Sequence, residues 1–253
     1  MTKELENKIT EIVAKVENMS TGEYLNIINN MARFHNYSFN NKMLLAFQGC
    51  NQVASFNKWK ELGRSVKKGE KAKTILAPQT KKFKDKDEET GEEVERIAIV
   101  GFRPVPVFDI AQTEGEEIER GMTTKAEISL DHVLKAAQTL GTIVEFRPMQ
   151  FSIGGYVSSN EIVLNSNLSE AENVGTLIHE LAHFMLGHTT TEEHLSSSIV
   201  EQEAETVTAL ICAEFGVDRK SEFYLKSWGT GNIVAAMQKM SKAYAEIRKA
   251  LEA

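Results

Sequence analysis

The residues best equipped for chemistry lie in Thr176-Leu177-Ile178-His179-Glu180-Leu181-Ala182-His183-Phe184-Met185-Leu186-Gly187-His188. Apolar Leu177, Ile178, Leu181, Ala182, Met185 and Leu186 recur at three- and four-residue steps with no proline between them, so the stretch is expected to be one amphipathic helix. Residues four apart on a helix differ by about 400° of rotation. His179 and His183 therefore project from one side, a turn apart, where two imidazole nitrogens can hold one metal ion. Glu180 sits about 100° round from His179. That is too far for an easy third ligand and near enough to take the proton of an attacking water, which makes Glu180 the candidate general base.

His-Glu-x-x-His on a helix is the arrangement of zinc peptidases. Such a site needs a third protein ligand and an open position for water. The stretch Ser198-Ile199-Val200-Glu201-Gln202-Glu203-Ala204-Glu205-Thr206-Val207 offers acidic candidates, and Glu201 follows His183 by 18 residues. That length allows the first helix to end, the chain to turn, and an antiparallel helix to return beside it. Glu201 is the expected third ligand. Glu205, one turn on and on the same face, would then reach a ligand histidine from behind. His188 and His194 are rival third ligands.

Other elements must hold this pair of helices. A helix over about 129–140, a strand over about 142–147, and a hairpin from Ser152-Ile153-Gly154-Gly155-Tyr156-Val157 through Ser158-Ser159-Asn160 into Ile162-Val163-Leu164-Asn165 precede it. A strand just before the histidine helix can bind an extended substrate by backbone pairing. Tyr156 and Tyr224 are candidate oxyanion donors. After the acidic helix come a short piece over about 222–228 and an amphipathic helix over about 231–252, where Met237 and Met240 are expected in the core.

Composition bounds the rest. The chain has 253 residues, 42% hydrophobic and 26% charged, which is ordinary for a soluble protein with one large or two small domains. The opening Met1-Thr2-Lys3-Glu4-Leu5-Glu6-Asn7-Lys8 lacks a signal-like apolar core, and no apolar run has the length of a membrane span, so a cytoplasmic protein is expected. Cys50 and Cys212 are expected to be reduced and buried. Net charge is −7, yet residues 24–84 carry twelve basic residues against two acidic, while residues 111–253 carry eleven against twenty-one. An anion-binding module joined to an acidic one would show this split.

The basic part starts with a helical stripe over 3–18 and a second helix capped by Ser20-Thr21-Gly22-Glu23. Helices over 40–48 and around 56–62 follow, the latter ended by Gly63. The loop Gly63-Arg64-Ser65-Val66-Lys67-Lys68-Gly69-Glu70-Lys71-Ala72-Lys73 then leads into a strand over 74–78. Cations beside aromatic rings suit single-stranded nucleic acid, with charges along phosphates and rings against unpaired bases. Arg64, Lys67, Lys68 and Lys71 are the candidate phosphate contacts, and Tyr37 and Trp59 the candidate stacking rings. Residues 81–95 read as a charged hairpin tip turning at Thr90-Gly91, the return strand spans 97–102, prolines near 104–106 suggest an edge, and the polar stretch 112–124 is the expected domain boundary.

The blocks Tyr37-Ser38-Phe39-Asn40-Asn41, Trp59-Lys60-Glu61-Leu62-Gly63-Arg64-Ser65-Val66-Lys67-Lys68-Gly69-Glu70-Lys71 and Val107-Phe108-Asp109-Ile110-Ala111-Gln112-Thr113 resemble the N-terminal single-stranded-DNA-binding domain of the ArdC antirestriction family. His179-Glu180-Leu181-Ala182-His183 with Glu201-Gln202-Glu203-Ala204-Glu205 resembles its zincin-like domain, related to the ImmA/IrrE metallopeptidases. The resemblance spans almost the whole chain. It implies a protein of a plasmid, phage or integrative element that binds incoming single-stranded DNA and shields it from restriction. It also implies a Zn2+ (or similar divalent metal) held by His179, His183 and Glu201, gluzincin-like, with Glu180 catalytic; Glu205 stands where related peptidases often have Asn or Asp. The expected fold is α+β: a DNA-binding domain over 1–124 and a zincin-like metallopeptidase domain over 125–253. Two rival readings are a regulatory peptidase cleaving a repressor-type protein and a DNA-binding protection protein with a non-catalytic metal site.

Overall fold

A computed structural model describes residues 15, 19–34, 36–86, 93–118, 128–189, 197–219 and 233–253. The helix expected over 3–18, the turn at Thr90-Gly91, the piece at 222–228, His194 and Tyr224 lie outside these, apart from Lys15. Helix and strand are mixed throughout, as the expected α+β class requires.

The histidine stretch is a helix, here α5 (Glu170–Leu186), and three helices and two strands of the second half of the chain pack against it. Its start is fixed by Ser169, whose hydroxyl accepts from the Glu172 amide while the Glu172 carboxylate accepts from the Ser169 amide. Leu177, Ile178, Leu181 and Ala182 are fully buried. α5 lies against α4 (Leu130–Thr139), α6 (Ser197–Phe215) and α7 (Ile233–Leu251), with Met237 and Met240 buried in the shared core as expected.

Below it runs a three-stranded sheet. β6 (Ile143–Arg147) pairs parallel with the central β8 (Glu161–Asn165), and β7 (Gly155–Ser158) pairs antiparallel with β8 and forms an edge. β8 is buried on both faces through Ile162, Val163, Leu164 and Asn165. The Asn165 side-chain amide donates to the carbonyls of Gln150 and Ile153, and its oxygen accepts from the amides of Met149 and Asn167. One buried side chain thus fixes the loop that leads into β7.

The N-terminal part contains α1 (Thr21–Ala32), α2 (Phe39–Phe47), the short β1 (Val53–Ala54), α3 (Phe56–Glu61) and β2 (Arg64–Val66). A long ribbon follows, β3 (Lys73–Lys86) against β4 (Glu93–Asp109), and then β5 (Thr113–Gly115) returns to pair with β2. The ribbon is longer than expected: residues 81–86 and 93–95, expected in a solvated tip, continue the ladder with a bulge near Gln79 and Thr80. Pro104 and Pro106 sit within β4 rather than ending it: β1 pairs with the other edge of β4 only at Phe108 and Asp109, so that edge is unpaired in the ladder beside the prolines. The expected boundary at 112–124 is occupied at its start by β5.

Helices α1 and α2 do not form a core of their own. Tyr24, Ile28, Met31, Phe39, Met43 and Leu44 belong to the same buried cluster as the α4–α7 helices. Polar ties reinforce this: the Tyr24 hydroxyl meets Thr206 Oγ1 at 2.7 Å, and fully buried Lys42 reaches Glu214 and Tyr244. A smaller cluster of Phe34, Leu45, Cys50 and Val107 supports the base of the ribbon. Cys50 and Cys212 are free and buried. Among the described residues, no helix is long and apolar enough to cross a membrane.

Candidate metal centre

α5 and α6 bring three donor groups to one point. His179 Nε2 and His183 Nε2 face each other at 3.1 Å, and Glu201 places one carboxylate oxygen 3.4 Å from the first and the other 3.5 Å from the second. Ligands about 2.0–2.1 Å from one tetrahedral ion stand about 3.3–3.4 Å apart. The donor set and its spacing therefore fit a divalent cation. Glu201 is largely exposed while the two histidines are nearly buried, so the position left open faces solvent.

Electrostatics agree with that use. Burial works against a charged His179 ring, yet the carboxylates of Glu201 and Glu205 overcome it and raise its pKa to about 9. The same two histidines hold the Glu201 carboxyl far below its ordinary range. Such mutual stabilisation is what a cluster of metal donors shows when protons stand in for the cation.

Glu180 lies beside these groups without joining them. It is 7% exposed, and burial pushes its carboxyl above the ordinary value against the opposing pull of His179 and His183. A raised carboxyl facing a cleft suits proton transfer near neutral pH. The cleft, about 550 Å³, is lined by His179, Glu180, His183, Glu201, Arg219 and the backbone of 152–157. The β7 edge forms its wall, with Tyr156 and Ile153 partly exposed. Gly155 permits this closeness, since a Cβ there would lie 2.8 Å from the Val163 carbonyl and 3.0 Å from Thr176 Cγ2 on α5.

Glu205 occupies the expected place behind His179, 3.0 Å from Nδ1 but off the line of a good hydrogen bond, and is paired with Arg219 at 2.7 Å. Arg219 went unnoticed in the sequence, having no motif around it. His188 requires a correction. It is not among the converging donors: Gly187 takes a left-handed conformation (φ 75°) that folds the chain back, placing His188 Nδ1 3.0 Å from His183 Nδ1, across the ring from the Nε2 that faces His179.

The basic part requires two further corrections. Trp59 is fully buried, and its indole N–H donates to the Phe108 carbonyl at 2.8 Å, so neither face of the ring is available to a base. The Arg64 guanidinium is spent on Thr113, Gly115 and Glu116 rather than left for phosphate. Tyr37 is half-buried, edge-on to Phe34, with its hydroxyl near the Val53 carbonyl. Lys67, Lys68 and Lys71 are exposed, although Lys67 reaches the Ala111 carbonyl. Asp109 and Gln112 explain much of the motif: Asp109 accepts from the amides of Asn51, Gln52 and Ala111, and Gln112 donates to Glu70 and to the Lys71 carbonyl. These side chains brace the basic loop.

The model of the N-terminal domain of anti-restriction factor ArdC matches residues 1–108, and that of the IrrE N-terminal-like domain matches residues 137–217. An uncharacterized protein of Bacillus anthracis is 25% identical over 288 residues, covering 90% of this chain and 46% of its own length. The chain thus spans about half the length of the curated relative it matches. The crystal structure of the antirestriction ArdC protein from plasmid R388 in its metal-free form is 24% identical, covering 83% of this chain and 80% of that one, with a TM-score of 0.48. Its Mn(II)-bound form is 23% identical, covering 83% and 79%, with a TM-score of 0.46.

Proposed function

This chain belongs to the ArdC-like antirestriction family, and from that premise we propose that it binds single-stranded DNA through its N-terminal part and hydrolyses peptide bonds through a zinc-type centre at His179, His183 and Glu201. The observation that carries the catalytic half is the convergence of those three donors beside a buried carboxylate that is not one of them. The Mn(II)-bound form of the R388 protein supports a divalent cation.

A divalent ion held by His179, His183 and Glu201 would supply Lewis acidity, polarising a scissile carbonyl and lowering the pKa of water so that a neighbouring base can deprotonate it. The chain's own residues do the rest. The open edge of β7 offers backbone N–H and C=O groups to an extended peptide, aligning it across the cleft. Glu180 takes the proton of the attacking water and returns it to the departing amine, a task for which its raised pKa fits it. Asn165 keeps the 148–154 loop, and with it the cleft wall, in register.

For DNA, the surface cations carry the reading now that Trp59 and Arg64 are committed internally. Lys67, Lys68 and Lys71 lie exposed on the loop, and Lys81, Lys82, Lys84, Arg96 and Arg103 lie exposed along the ribbon with Phe83 and Phe102. Charges and rings on one projecting element suit a flexible strand.

The test compares the wild-type 253-residue chain with Glu180→Gln, using a labelled mixed-sequence oligonucleotide and a random peptide mixture read by mass spectrometry. The variant should keep DNA binding and lose cleavage. Cleavage that survives in Glu180→Gln would remove the assigned base. Binding of single strands no tighter than duplex would remove the single-strand reading and leave a regulatory peptidase ahead.

A further inference from the structure

Behind His183 lies an arrangement that neither the motif nor the proposed mechanism uses. His183 Nδ1 stands 3.0 Å from His188 Nδ1, and His188 Nε2 stands 3.1 Å from Glu203 Oε2. The His188 and Glu203 side chains are 4% and 5% exposed. Among the described residues, His188 is the one hydrogen-bonding partner of that carboxylate. The backbone is arranged for it: left-handed Gly187 ends α5, and the His188 amide donates to the His183 carbonyl at 3.1 Å.

The protons in this row can be arranged in one consistent way if His183 donates a lone pair from Nε2 to a cation. Its Nδ1 must then carry hydrogen and donate to His188 Nδ1. His188 must accept there, which leaves its own hydrogen on Nε2, aimed at Glu203. No atom in the row is left with two donors or two acceptors facing.

We propose that His188 and Glu203 are positioning residues for the metal centre, a relay that locks His183 in the tautomer and orientation needed to ligate through Nε2. The inference rests on the metal-site reading above and deepens it. The two ligand histidines are backed differently. Glu205 stands directly behind His179 and shares its charge with Arg219, whereas Glu203 acts on His183 through a neutral imidazole and has no described arginine or lysine partner. The His183 branch therefore directs a carboxylate with no described arginine or lysine partner toward the cation through two rings, those of His188 and His183. Carboxylates and carbonyls behind ligand histidines commonly govern metal affinity over about 10–100-fold.

Two single variants, their double and two kinds of spectrum test this in the 253-residue chain. Glu203→Gln keeps a side-chain oxygen to accept from His188 but removes the charge. His188→Phe keeps ring volume and removes both nitrogens. Competition with a chromophoric chelator should show Zn2+ affinity falling about 10–100-fold in each, and the double variant should lose little more than His188→Phe alone, because the residues act in series. Loading with Co2+ should give visible absorption bands displaced from those of wild type, which a general loss of stability would not produce. Long-range 1H–15N spectra of the Zn2+-loaded wild type should show His188 as the Nε2–H tautomer with a bare Nδ1, a readout that stands even if a variant does not fold. The opposite tautomer, or folded variants with wild-type affinity and bands, would overturn the relay while leaving the centre intact. A wild-type chain that takes up no ion would overturn the centre, and the relay with it.

Discussion

Glu214 should be the most expensive polar side chain in the molecule to neutralise. It is 2% exposed on its side chain, and its two oxygens serve a row of partners: Oε2 takes Lys42 Nζ at 3.2 Å and the Tyr244 hydroxyl, and Oε1 faces Arg248 Nε at 3.2 Å. Lys42 is entirely buried, and its ammonium donates to Glu214 and to the Tyr244 hydroxyl. Glu214→Gln preserves shape and removes the buried anion that faces Lys42, and breaking a buried pair in this way costs about 3–5 kcal/mol. Lys42→Met is milder, because Glu214 retains Arg248 and the tyrosine hydroxyl; the loss is then that of a charged hydrogen bond, about 1.5–3 kcal/mol. Urea unfolding followed by far-ultraviolet circular dichroism reads both. Because α1 and α2 share one core with α4–α7, each protein should unfold in a single transition. A Glu214→Gln loss below about 1 kcal/mol, or a Lys42→Met loss larger than the Glu214→Gln loss, would refute the reasoning that removing the buried anion is the costlier change.

Other consequences are simpler to read. Burial lifts the Cys50 thiol to about 11 and the Cys212 thiol to about 12, so neither should react with iodoacetamide at pH 8 in the native chain, and both should react in denaturant; labelling of either at the rate of a free thiol would contradict their burial. Gly155→Ala forces a Cβ against the Val163 carbonyl and Thr176, and should cost about 1–3 kcal/mol in a thermal or urea melt. The same variant should displace β7 and slow peptide cleavage; a variant of wild-type stability and rate would show that β7 does not approach α5 so closely.

The histidine helix was legible because two independent signals coincide on it: apolar spacing and two histidines one turn apart. Glu201 was legible by distance along the chain, and its convergence with the histidines follows from an antiparallel helix pair. What failed to show was set by tertiary partners. A tryptophan in a basic segment can stack on a base or fill a core, and only the Phe108 carbonyl under its indole decides for Trp59. Arg64 reads as a phosphate contact until β5 supplies three backbone-flanked acceptors around it. His188 reads as a spare ligand because spacing cannot reveal the left-handed turn at Gly187 that reverses it. The shared core of α1 and α2 with α4–α7 was equally hidden, since an apolar stripe does not say which neighbour it meets.

The most direct test of the account is metal content and affinity across the centre, measured by elemental analysis and chelator competition on purified chains. Wild type and Glu180→Gln should hold about one equivalent of a divalent metal. His179→Ala and His183→Ala should hold none, and Glu201→Gln should bind more weakly. Stoichiometric metal in His183→Ala would contradict the assignment, as would a Glu201→Gln chain of normal affinity beside a Glu205→Gln chain that had lost it.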